Sequence, residues 1–129
     1  MSSDAYEVFY EALDRARYYV ESLVKTELGE IAVVPYISVV PGYIYVNNRR
    51  LCGAYYPTTR RIEISVRCVR DFIRKHGREE AVCAVIGLIF HEVWHFINDM
   101  KYSYDDEKDE EIAREHYVKW YRLCLEGLI

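Results

Sequence analysis

The strongest constraint on this chain lies between Ala81 and Ile97. Ala81-Val-Cys-Ala-Val-Ile-Gly-Leu-Ile-Phe90 is apolar almost without interruption, and it runs directly into His91-Glu92-Val93-Trp94-His95. Glu79 and Glu80 precede it, where negative charge suits the first turn of a helix. The stretch reads as a helix that is apolar on nearly every side, and hence one buried between two layers. On a helix, residues four apart lie one above the other, so His91 and His95 can bind the same metal ion. Glu92 then sits beside that ion, where it can take a proton from activated water. Polar groups among apolar neighbours are costly without partners, and a metal is the simplest partner common to all three.

The rest of the chain must supply a core and the remainder of such a site. Its 129 residues suffice for one domain, residues 1–129, and are too few for two comfortable ones. The net charge of −4 argues against a general nucleic-acid binder, although it leaves room for a local basic patch. No unbroken apolar run reaches the length of a membrane span. Met1-Ser-Ser-Asp4 opens into a charged helix without signal-peptide character, so a cytoplasmic location is expected. Cys52, Cys68, Cys83 and Cys124 form no CxxC pair, which speaks against a cysteine zinc knuckle. Buried free thiols are expected, with disulfides as the alternative in a hyperthermophile.

Residues 4–28 predict a first helix, capped by Ser3 or Asp4, with Val8, Phe9, Ala12, Ala16, Tyr19, Val20 and Leu23 as its apolar stripe. Gly29 ends it. Short strands follow over 31–40, 43–46, 51–56 and 61–66, with Pro35 marking an edge, a bend or a shorter first strand. Asn47-Asn48 is a tight turn, and Gly53 marks a bulge or close packing. These strands predict a small, mostly antiparallel sheet. A short helix over 69–76 places His76 as a favourable cation at its C-terminus. Gly87 allows a close approach by the sheet or the first helix. An acidic segment, Ser103 to Glu111, leads into a last helix ending near Glu126. The expected class is α+β: an N-terminal helix, the small sheet, a buried helix bearing the pentad, and a C-terminal backing helix.

Two histidines rarely complete a catalytic zinc site; three protein ligands are usual. The candidates downstream are Glu107, Glu110, Glu111, Glu115 and His116. Ala113, Tyr117, Trp120, Tyr121, Cys124 and Leu128 form an apolar face of the last helix. Glu110 stands at the start of that face, and Glu107 one turn earlier on the same side. Glu111 and Glu115 fall toward the polar side, and His116 reads as a surface or capping residue.

The pentad, the downstream Glu110-Glu-Ile-Ala113 segment and the order of elements resemble the minimal gluzincin metallopeptidases, or minigluzincins. The hairpin from Cys52 to Ser65 is similar to the strand pair that precedes HExxH in SprT-like proteases, which carry a further histidine absent here. The gluzincin resemblance implies Zn2+ held by His91, His95 and Glu110, with Glu92 as general base. It implies hydrolysis of a peptide or protein substrate, paired as an extended strand along the edge within residues 51–66. Such enzymes also stabilise the oxyanion with a separate residue, for which Tyr102, Tyr104 and Tyr117 are available. The alternatives are a catalytically silent, zinc-stabilised binding or regulatory module, and a helical packing protein in which the pentad is accidental.

Overall fold

The computed structural model describes the backbone of residues 2–129 and the side chains of residues 4–129. The fold is α+β, with the elements in the expected order. Helix α1 spans Ser2–Leu28, and its inward stripe buries Ala5, Val8, Phe9, Ala12, Ala16, Val20 and Val24. The capping role expected of Ser3 falls on a side chain outside those described. Gly29 closes the helix at φ 104° with its N–H on the Lys25 carbonyl, a conformation that needs no Cβ.

Five strands follow: β1 (Tyr36–Val40), β2 (Ile44–Val46), β3 (Arg49–Leu51), β4 (Gly53–Tyr56) and β5 (Arg61–Ser65). They form a three-stranded sheet in the order β1-β5-β4 and a separate β2–β3 hairpin. The hairpin and the β4–β5 pair are antiparallel, as expected, but β1 runs parallel to β5. β1 begins only after Pro35, which has no N–H for a ladder. Asn47 and Asn48 both take positive φ, the backbone twist that suits a two-residue hairpin turn.

Helix α2 (Val66–His76) starts three residues earlier than its apolar pattern suggests, because Ser65 at the end of β5 caps it. The Ser65 hydroxyl accepts from the Cys68 N–H at 3.2 Å and donates to the Gly42 carbonyl at 2.8 Å. Helix α3 (Arg78–Lys101) is the centre of the molecule, packed against α1, α4 (Asp106–Leu125), α2 and the β4–β5 pair. By length and composition α3 qualifies as a membrane span, which the count of unbroken apolar residues does not reveal. Yet 78% of its apolar window is buried inside the protein, as in a core helix.

The cysteines correct the expectation of free thiols. Cys52 pairs with Cys68 and Cys83 with Cys124. Their Cα separations, 5.4 and 5.3 Å, are set by packing that no sequence spacing displays. The first ties the β3–β4 junction to α2, and the second ties α3 to α4. Gly87 is a second correction. It meets neither the sheet nor α1 but α4, where a Cβ would stand 3.0 Å from the Tyr117 ring and 3.1 Å from the Tyr117 carbonyl oxygen.

Candidate metal centre

α3 and α4 run side by side, and their facing surfaces bring the polar residues of the pentad to the acidic start of α4. α4 begins where Asp105 caps it, accepting from the Lys108 N–H at 2.8 Å. Ala113, fully buried, fixes which side of α4 faces inward. Glu110 lies three residues before it and arrives between the two histidines. His91 Nε2 stands 3.1 Å from Glu110 Oε1, and His95 Nε2 stands 3.2 Å from Glu110 Oε2. Glu107, Glu111 and Glu115 are exposed. His116 is neither a surface nor a capping residue: it stacks on Trp94 inside the α3–α4 interface, with ring centroids 4.1 Å apart.

His91, His95 and Glu110 form a group that could hold a metal ion, with ligand atoms all within 4.8 Å of one another. The donor set fits that use. Ligands about 2.1 Å from a tetrahedral ion stand roughly 3.4 Å from each other, close to the 3.1 and 3.2 Å between each histidine and its nearer Glu110 oxygen. Burial lowers the pKa of His91, the neighbouring His95 adds to the effect, and Glu110 opposes it. A neutral imidazole is the form that binds a metal.

Asp109 also belongs to this cluster, although the sequence does not single it out. Its Oδ2 lies 3.0 Å from His95 Nδ1, and its Oδ1 accepts from Asn98 Nδ2 at 2.8 Å. A carboxylate on Nδ1 keeps the proton there and leaves Nε2 free to face Glu110. The available signal was helical phase, since Asp109 lies four residues before Ala113. In the acidic run from Asp105 to Glu111 that phase also favours Glu110, so it does not single out Asp109. Arg114, one turn after Glu110, approaches Glu110 Oε1 to 3.6 Å from the solvent side.

Glu92 is buried, with 5% of its surface exposed. Its Oε2 lies 4.0 Å from His91 Nε2, and none of the described residues hydrogen-bonds it. Burial, followed by the charges of Glu110 and Asp109, pushes its pKa up to about 8. A cation among His91, His95 and Glu110 would favour the ionised form and oppose that shift. Gly53 explains how the sheet edge approaches so closely. A Cβ there would sit 3.2 Å from Glu92 Oε2 and 3.2 Å from Ile64 Cδ1, so Gly53 marks close packing.

The site opens into a cleft of about 1030 Å³ with β4 along one wall and the α3–α4 junction along the other. Tyr102 and Tyr104 line it and stack on each other at 4.9 Å. The Tyr102 hydroxyl is engaged with Glu27 Oε1 at 3.4 Å. Tyr117 does not line the cleft; it packs on Gly87. Tyr55, on β4, lines the cleft and donates to Asp99 Oδ2 at 2.7 Å, so the edge strand is fastened to α3 one turn beyond His95. Comparisons with protein-family models, with curated proteins and with solved structures return no match for this chain.

Proposed function

We propose that this protein is a zinc-dependent metallopeptidase with His91, His95 and Glu110 as ligands and Glu92 as general base. The observation that carries the reading is the convergence of both imidazole Nε2 atoms on one carboxylate, with a buried glutamate beside them. Two nitrogens and a carboxylate oxygen suit zinc, and three protein ligands leave a further position open. Zinc bound there supplies Lewis acidity, which activates water and polarises a carbonyl.

The chain's own residues supply the rest. Asp109 holds the proton on His95 Nδ1, and Asn98 holds Asp109. Glu92 receives a proton at its carboxylate from attacking water and delivers it to the departing amine. Burial keeps bulk water from competing for that carboxylate. β4 is an edge of its sheet and a wall of the cleft, so its free backbone groups can pair with an extended peptide. Of the three tyrosines considered for the oxyanion, Tyr104 fits best, because it lines the cleft and is 39% exposed.

The test is Glu92→Gln assayed against a peptide library at constant zinc loading. Loss of the base should lower kcat by about 10²–10⁴-fold while zinc remains bound. Zinc binding without hydrolysis by the wild type would instead support the zinc-stabilised module.

A further inference from the structure

Charge is unevenly distributed along this chain. Between Arg49 and Arg78 lie nine basic residues, eight of them arginine, and two acidic ones. The whole chain carries 17 basic and 21 acidic residues, so the acidic excess belongs entirely to the flanking segments. The overall charge of −4 conceals a strongly positive stretch.

The fold gathers these arginines. In the β2–β3 hairpin, Tyr45 stands opposite Arg50 and Val46 opposite Arg49. Directly opposed residues share a face of the ladder, so the hairpin has two distinct faces. Val46, Arg49 and Leu51 line the cleft. On the other face the Arg50 guanidinium lies 4.4 Å from the Tyr43 ring centroid, and that of Arg67 lies 5.3 Å from the same ring. Arg67, Arg70 and Arg74 recur on α2 at spacings that place them along one side of the helix. The result is a basic band from α2 to Arg50 that turns over the edge of the hairpin to Arg49 at the cleft wall.

Most of this charge is unopposed. Among the described residues Arg49, Arg50, Arg67 and Arg70 form no ion pair, and the buried Nε of Arg70 has no hydrogen-bond partner. Asp71, inside the band, is already held by the Tyr43 hydroxyl at 2.8 Å and by Arg74 at 3.3 Å. Beside the arginines, Tyr45 is 66% exposed.

We propose that this band is a docking surface for single-stranded nucleic acid, lying beside the cleft and independent of the metal centre. The choice of arginine over lysine favours phosphate, whose oxygens the planar guanidinium meets two at a time. A linear band suits a linear polyphosphate, and exposed Tyr45 offers a face on which a base can stack. An anionic membrane would ask for a broader apolar anchor than Tyr45 and Val46 supply.

The test is fluorescence anisotropy of a fluorescein-labelled single-stranded DNA oligonucleotide, titrated with the full chain at several salt concentrations. Four arginines on phosphates predict a log–log salt slope of about −3, and Arg50→Ala with Arg67→Ala should reduce its magnitude by about 1.4. Arg49→Glu, at an exposed hairpin position, is a second variant should the double substitution disturb α2; it should weaken binding about tenfold at low salt. Arg17→Glu, the same charge change on the exposed face of α1, should leave the Kd within about twofold. Absence of salt-dependent binding overturns the proposal, as does equal weakening by Arg17→Glu and Arg49→Glu. Binding to phosphatidylserine vesicles by a protein that ignores the oligonucleotide overturns it in favour of a membrane.

Discussion

The two ring nitrogens of His95 have separate partners: Asp109 on Nδ1 and Glu110 on Nε2. Adjacent residues of one helix therefore meet opposite nitrogens of one ring; in the proposed centre Asp109 would orient the histidine and Glu110 would be a ligand. Asp109→Ala should raise the zinc Kd about 10–100-fold without removing a ligand, measured by competition with a chelator. An unchanged affinity would mean that Asp109 is a surface contact. His116 shows the same residue type without a site. Burial against Trp94 lowers its pKa from 6.5, nearby Lys119 adds to the effect, and Glu27 opposes it. The unfolded chain therefore takes up this proton more readily than the folded one. Stability from neutral His116 is present above about pH 6.5 and is lost as pH falls through its folded pKa. His116→Phe should flatten the acid limb of the urea midpoint measured from about pH 7.5 to about pH 5. A limb as steep as that of the wild type would assign the acid loss elsewhere.

At the scale of elements, the site depends on how closely α3 and α4 approach. Gly87 sets that distance against Tyr117, where both ring and backbone stand in the way of a Cβ. Gly87→Ala should destabilise the fold by about 1–3 kcal/mol through overpacking. It should also weaken zinc binding, because the histidines lie on α3 and Glu110 on α4. Thermal unfolding with and without zinc reads both effects; a variant as stable as the wild type would show that the interface yields. What the sequence makes legible follows the same division. The buried character of α3 and the turn at Asn47-Asn48 are local patterns found where expected; the α1 stripe is found too, with Ala5 and Val24 buried beyond it and Tyr19 and Leu23 only partly buried. The parallel pairing of β1 with β5, the approach of α4 to Gly87 and both disulfides depend on which elements meet, and periodicity carries no such information. The metal group falls between these cases. The i, i+4 spacing joins His91 to His95, and the phase of Ala113 selects Glu110. That same phase turns Asp109 inward, but in a run of seven residues with six acids only docking against Asn98 and His95 separates its role.

Over the whole molecule, α4 is tied to α3 at both ends. The Cys83–Cys124 disulfide holds the end away from the pentad, and His91, His95 and Glu110 meet at the other. The Cys52–Cys68 disulfide fixes the chain immediately before Gly53, where β4 comes against Glu92. The cleft is thus framed by covalent ties on two sides, and a bound metal would be the third tie, stabilising the native state by mass action. The measurement that tests it most directly is zinc content of protein purified without a histidine tag, for the wild type and for Glu110→Ala, a partly exposed position whose loss leaves the core intact. About one zinc per wild-type chain and a marked loss in Glu110→Ala are expected. A wild type that holds no zinc and gains no stability when zinc is added would contradict it, and so would full zinc retention in Glu110→Ala.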